Sequence, residues 1–196
     1  MKEKDQGFHL ETERLYLRPF TWEDTPLVLR IASDPDTTRY LYRWALPGVT
    51  PKMDVKRFVG GAVQEWAKNE IRVREYCLVL KETGETLGDG SVEYWGGDDV
   101  AEIGWILTPE HRGKGYVTEM GRELMRYAFE EMRVQKVIAH CDALNVPSYR
   151  VMERLGMHLE SIEKETRPAK TEGGKKGDEM TWAISRKEWE AALCTR

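Results

Sequence analysis

Pro109-Glu-His-Arg-Gly-Lys-Gly-Tyr-Val-Thr-Glu119 joins an alternating stretch, 100–108, to an amphipathic run that starts at Val117. Gly113 and Gly115 let successive backbone amides converge without interference from Cβ atoms, and a helix beginning just beyond them adds partial positive charge. That combination makes an anion cradle suited to phosphate. Arg112 and Lys114 would supply charge-assisted donors. The same residues also suit a glycine-rich strand-to-helix turn that binds nothing.

Downstream of the loop, Val117, Met120, Gly121, Leu124, Met125, Ala128, Phe129 and Met132 recur at helical spacing, and 134–141 is a short apolar strand. Strand, helix and strand form a right-handed unit whose two strands are parallel. Upstream, 75–81, 86–95 and 100–108 alternate with period two and are separated by Gly-rich turns, so they make an antiparallel meander. Before them come a strand at 13–19 stopped by Pro19, a helix capped by Thr21 that ends at Asp34-Pro35, and a helix from Thr50-Pro51 to about residue 69. Its apolar face carries Val55, Phe58, Val59, Ala62, Val63 and Trp66. An aromatic-rich connector, 39–49, separates the two helices and reads equally as local packing or a substrate-side lid. After residue 141 follow a short helix at 146–155 ended by Gly156, strands at 157–165 and 179–185, and a helical tail at 186–194.

The order is β-α-α-β-β-β-α-β-α-β-β. It predicts an α/β fold in the broad sense, an α+β mixed sheet that is mostly antiparallel, with one central parallel β-α-β unit and helices on both faces. One domain is expected over 1–196, with its core at about 11–185. The 196 residues suffice for a sizeable core, and seven Trp, eight Tyr and four Phe argue against disorder. A net charge of −4 speaks against a nucleic-acid or membrane-surface partner. No metal is expected, because Cys77, Cys141 and Cys194 lie far apart, and such a sparse set fits reduced thiols in a cytoplasm. The first ten residues lack an apolar core of the signal-peptide kind.

Three kinds of phosphate loop compete for 109–119. A Walker loop fails around Gly174-Lys175-Lys176, where Ala169 and Lys176 stand in place of Gly and Ser/Thr. A dinucleotide fingerprint would use Gly113 and Gly115 with Asp142, making the chain a nicotinamide-dependent oxidoreductase, but Thr118 replaces its third glycine. The third is an acyl-CoA loop. Arg112-Gly-Lys-Gly-Tyr-Val117 resembles the Q/R-x-x-G-x-G/A motif of the GNAT N-acetyltransferase superfamily, with Val117 in place of the small last residue. The whole 109–119 stretch is similar to the signature of Rim-type ribosomal-protein alanine/serine N-acetyltransferases. Asn145-Val-Pro-Ser148 with Arg154-Leu-Gly-Met157, and the opening Glu11-Thr-Glu-Arg-Leu-Tyr-Leu-Arg-Pro19, supply two further blocks in the family's order.

The resemblance implies acetyl-CoA as co-substrate and an amine acceptor, either a peptide N-terminus or a small molecule. It lays the thioester and pantetheine arm along Ile106, Leu107 and Thr108, on a strand splayed from its parallel neighbour. The loop's Arg112, Gly113, Lys114, Gly115, Tyr116, Val117 and Thr118 then take the pyrophosphate. It also makes Asn145 a contact to the arm, although a helix cap is the alternative. Ser148 becomes the donor to the leaving sulfur, in place of a Tyr whose usual position is Met152. Bonding to its own helix backbone is the alternative for Ser148. Glu102 shares a strand face with Gly104 and Ile106 and is nominated as general base, with Glu160 as a second acid. His140 and Cys141 are adjacent in a strand and point oppositely, so they make no dyad. Tyr40, Tyr42, Trp44, Tyr94 and Trp95 suggest a groove for a peptide terminus. The basic residues of 164–176 read as a solvated loop. Analogy admits a homodimer, and a GNAT-fold binding module without turnover is the non-enzymatic alternative.

Overall fold

The computed structural model describes residues 9–41, 50–68, 73–95, 99–167 and 174–194. Eight strands form one sheet: β1 (Leu10–Glu11), β2 (Leu15–Pro19), β3 (Val73–Leu80), β4 (Thr86–Tyr94), β5 (Val100–Leu107), β6 (Lys136–Asp142), β7 (His158–Arg167) and β8 (Gly177–Ser185). Their spatial order is β1-β2-β3-β4-β5-β6-β8-β7. Among the described residues, only β5 and β6 pair in parallel. The expected meander and the parallel unit are both present, and β8 slots between β6 and its hairpin partner β7. That placement follows from side-chain chemistry: β8 buries Trp182, Ala183 and Ile184, while nine of the ten residues of β7 are exposed. A charged strand suits the sheet's edge.

Helices α1 (Thr25–Ser33), α2 (Pro35–Thr38) and α3 (Pro51–Trp66) lie in the first half of the chain. Thr50 caps α3, its hydroxyl accepting from the Met53 amide at 3.4 Å. Asp34-Pro35 ends α1 as expected, yet Asp34 also caps the new turn α2, accepting from the Thr37 amide at 2.9 Å. Thr21 precedes a short 3-10 turn, Trp22–Asp24, and not α1 itself. Buried Asp24 accepts there from the Thr21 amide at 2.9 Å and from Arg18 at 2.7 Å. Helix α4 (Tyr116–Arg126) runs on into a π turn, Tyr127–Glu131, followed later by α5 (Val146–Arg154) and α6 (Arg186–Cys194). The wide turn leaves the Phe129 carbonyl to Arg186, whose guanidinium donates to it and to Val134 O just beyond the helix.

Two apolar clusters confirm helices on both faces. Phe20, Leu27, Val28, Ile31, Val55, Val59 and Ala62 bury one face under α1 and α3, together with Cys77. Met120, Leu124, Met125 and Phe129 bury the other under α4. Gly90 makes the second packing possible, because a Cβ there would stand 2.4 Å from Met120 Sδ. The odd-numbered residues Asp89 and Ser91 beside it therefore face α1 and α3.

Candidate active site

Two rigid half-sheets meet at the β5–β6 junction. Strand β5 pairs with β4 over seven registers, and β6 pairs with β8 over seven, but β5 and β6 hold together only at Val100↔Lys136, Ala101↔Val137 and Glu102↔Ile138. Beyond Glu102 the two strands diverge. The Thr108 amide donates back to Leu87 O at 3.0 Å, so by strand alternation the peptide groups of Leu107 and Trp105 face the gap. Of the trio Ile106, Leu107 and Thr108, the middle residue offers its backbone there, and Trp105 is an addition that motif reading did not supply. Thr108 is fully buried and its hydroxyl is tied to Leu87 O and His111 Nδ1, which anchors the start of the loop.

The glycine loop then turns into α4. Gly113 and Gly115 adopt φ of +76° and +83°, left-handed conformations that glycine takes at little cost. Gly115 is the N-cap of α4, so its first-turn amides emerge beside the loop. Arg112 departs from expectation. Its Nη2 donates to Thr37 Oγ1 at 2.7 Å and its Nε to Leu107 O at 3.3 Å, so these two donors tie the loop to α2 and β5. Lys114 is exposed, and its ammonium has no partner among the described residues. The Tyr116 ring is buried in the α4 core with the Arg14 guanidinium 4.6 Å above it, and Thr118 is buried as well. At 116–118, then, the groups available to a phosphate belong mainly to the backbone, with the Val117 side chain half-buried against the core.

Helix α5 begins across the gap. Asn145 is its N-cap by position, but its side chain makes no capping hydrogen bond; the Asn145 carbonyl accepts from the Ser148 amide at 3.0 Å. No hydrogen bond occupies the Ser148 hydroxyl among the described residues, so neither side chain is consumed by the helix. Asn145, Ser148 and Met152 line a cleft of about 470 Å³ together with Gly104, Trp105 and Ile106. Ser148 and Met152, one turn apart, present the same helix face to it.

The cleft's remaining wall carries charge. Glu102 lines it, with its carboxylate 3.0 Å from His140 Nδ1, which lines it too. The Glu102 hydrogen bond raises the His140 pKa above its ordinary value despite burial. Cys141 also borders the cleft, but burial pushes its thiol up to about 11, which suits a packed side chain and not a nucleophile. Asp89 and Ser91 come from β4, and Phe58, Ala62 and Glu65 from α3.

Several expected wall residues lie elsewhere. Glu160 is an exposed partner of Lys136 at 3.0 Å and does not reach the cleft. Tyr94 faces the α4 side, where it bonds Asp99 at 3.3 Å, because it is an even-numbered residue on β4. Trp95 is exposed at the strand end, 6.4 Å from the His140 ring. Tyr40 does line the cleft, whereas Tyr42 and Trp44 fall outside the described residues. Arg167 is no solvated loop residue: it is buried, 3.4 Å from Glu179, donates to Tyr40 O and borders the cleft. The extended pairing of β7 with β8 pulls it in.

The glycine loop that follows β5 and the Asn145 and Ser148 side chains that follow β6 thus flank one opening, at the C-terminal end of the split parallel pair, a slot for a long, phosphate-bearing arm. Comparison with known proteins agrees. The acetyltransferase (GNAT) domain model matches residues 14–158. The chain is 31% identical over 182 residues to the uncharacterized N-acetyltransferase YnaD of Bacillus subtilis, covering 92% of this chain and 99% of that one. A GNAT-family acetyltransferase structure from Bacillus anthracis superposes with a TM-score of 0.76 at 29% identity, covering 92% and 99%. The fold is shared at 17% identity and a TM-score of 0.74 by a spermidine N-acetyltransferase from Vibrio cholerae, solved with CoA and spermine, covering 90% and 98%. By slot, by loop and by these matches over most of its length, the chain belongs to the GNAT family of acetyltransferases.

Proposed function

We propose that the chain transfers the acetyl group of acetyl-CoA to an N-terminal α-amine of a peptide or protein, by direct attack within a ternary complex and in the manner of the Rim-type enzymes. The observation that carries this reading is the opening between β5 and β6, with the Leu107 and Trp105 peptide groups on one side and Asn145 and Ser148 on the other. The pyrophosphate sits on the amides around Gly113 and Gly115, with Lys114 adding charge. The pantetheine arm then replaces the missing β5–β6 ladder, and Asn145 holds its amide groups. A peptide N–H in the gap polarises the thioester carbonyl. As the amine adds, Ser148 donates to the departing sulfur, whose thiol has a pKa of about 8.5 and needs little more. Three free cysteines support a reducing, cytoplasmic setting.

An α-amine has a pKa of about 7.7–8.0 and a lysine about 10.4, so the first yields the nucleophile far more readily near neutrality. The test is release of CoA thiol from acetyl-CoA with paired peptides, one blocked at its N-terminus and one at its lysine. Turnover of the lysine-blocked peptide is expected. Preferred turnover of the N-blocked peptide overturns the acceptor assignment, and turnover of small amines alone replaces it with a metabolite.

A further inference from the structure

Asp89 lies between Gly88 and Gly90 in the middle of β4, opposite Ile106 on β5 and Cys77 on β3. It is only 5% exposed, yet it lines the cleft. Its carboxyl oxygen Oδ1 has no hydrogen-bond partner among the described residues. Buried carboxyl oxygens are normally satisfied, and one left over at the floor of a cleft calls for something that arrives there. The cations nearby are already engaged. His140 holds Glu102, Arg57 is 2.6 Å from Asp54, and Arg167 is 3.4 Å from Glu179. The other titratable groups around it, Cys77 and Glu75 on β3, Glu65 on α3 and Glu102 on β5, are neutral or acidic and supply no positive charge.

We infer that Asp89 takes the proton of the incoming ammonium. This rests on the acetyl-transfer reading above and takes the proton-accepting role nominated from the sequence for Glu102, whose charge is committed to His140, to Asp89. Register supports it, because Asp89 is the direct cross-strand neighbour of Ile106, on the strand along which the thioester lies. The ammonium N–H bond breaks and an O–H bond forms on Asp89, giving a neutral amine. Its lone pair adds to the thioester carbon, the C–S bond then breaks, and the electrons leave on sulfur. The second amine proton neutralises the thiolate, so amide and free CoA thiol are the products. Burial pushes the Asp89 carboxyl up to about 7, which matches a proton acceptor to neutral pH.

The test compares the parent with Asp89→Asn, which keeps the size and one acceptor oxygen, on two acceptors. One is an alkyl primary amine, protonated at pH 7; the other is a hydrazide, already neutral there. The expected result is a loss of about a hundredfold in kcat/KM for the alkyl amine at pH 7, recovering as pH rises, with the hydrazide changed less than about threefold. Equal losses on both acceptors, or no loss on either, overturn the role. Infrared difference spectra of parent against variant supply a readout independent of turnover. The Asp89 carboxyl band must respond when the alkyl amine is added, and a silent band overturns the inference. Absence of turnover in the parent with every amine would instead overturn the acetyl-transfer reading, with the band still deciding whether Asp89 meets the amine.

Discussion

Arg14 and Glu119, 105 positions apart, form an ion pair of 2.7 Å that fastens the glycine loop to the sheet edge. Glu119 Oε1 also accepts from the Arg14 amide at 2.8 Å and from Thr12 Oγ1 at 2.5 Å, while Arg14 Nη1 reaches Lys114 O at 3.1 Å. Two of the sequence blocks that resemble the family, 11–19 and 109–119, thus meet in space. Burial works against the Glu119 charge, but the bonds from Thr12 and Arg14 outweigh it and hold the carboxyl below its usual range. Its contribution is therefore present at neutral pH and lost as pH falls through that lowered value. Charge-assisted hydrogen bonds contribute about 1.5–3 kcal/mol. Glu119→Ala should lower the melting temperature by several degrees at pH 7 and by less at pH 4. It should also weaken acetyl-CoA binding by about tenfold in calorimetry, with kcat at saturation nearly retained. Unchanged affinity would make the pair a fold contact alone.

The loop's glycines give a sharper outcome. A β-branched residue at a φ of +83° costs on the order of 1–3 kcal/mol in strain, and at Gly115 its Cβ would also stand 3.4 Å from Arg14 Nη2. Gly115→Val should weaken acetyl-CoA binding by at least about tenfold. Lys114→Ala should cost less and flatten the salt dependence of binding, since an exposed ammonium acts through screened charge. Parent-like affinity in Gly115→Val would remove the phosphate cradle.

Ser148 and Asn145 separate by kinetics. An interaction that grows as charge develops on sulfur shows in kcat and not in ground-state binding. Ser148→Ala should lower kcat by about ten- to a hundredfold with acetyl-CoA affinity near normal, whereas Asn145→Ala should weaken affinity too. Equal kcat for parent and Ser148→Ala at saturating substrates would leave the hydroxyl without a catalytic part.

His140 couples the cleft to pH. Because Glu102 raises the His140 pKa in the folded protein, the stabilisation is complete below about 6.5 and fades as pH rises through the higher folded value. Both side chains are about one-fifth to one-quarter exposed, so the pair is worth on the order of 1 kcal/mol. His140→Gln should be less stable than the parent by about that much at pH 5.5 and nearly equal at pH 9 in urea denaturation. A deficit that persists at pH 9 would belong to packing, not charge.

Much of this was legible in the sequence because it is local. Period two over 75–108, helical spacing from Val117 onward and the glycine loop each declare themselves within a few residues, and together they fix the parallel unit. What was hidden depends on partners far along the chain. Arg112 reads as a phosphate ligand until Thr37 is placed beside it, and Glu102 reads as a free base until His140 arrives from β6. Tyr94 reads as part of a peptide groove, although strand alternation relative to Gly90 already turns it toward the α4 side. Asp89 had a signal as well: an acid flanked by glycines inside a strand is out of place unless something charged comes to it.

That misplaced acid makes the last prediction. Burial pushes the Asp89 carboxyl up to about 7 in the folded protein, against an ordinary value of about 3.9. Between those values the native state holds a proton that the unfolded state has lost, so the group destabilises the fold increasingly as pH rises from about 4 to 7 and by a constant amount above. Each unit of difference corresponds to about 1.4 kcal/mol. Asn at this position carries no charge to bury and keeps nearly the same size and one side-chain acceptor oxygen. Asp89→Asn should therefore match the parent near pH 4 and exceed it at pH 8 by up to about 4 kcal/mol, a gain of several degrees in melting temperature for a chain of this size. The variant would then be the more stable and the less active protein, as expected where a buried charge is kept for catalysis. Urea denaturation of both proteins across pH 4 to 9 measures the gap. A gap that stays flat with pH, or an Asn variant that is the less stable at pH 8, would show that the fold already compensates the Asp89 charge.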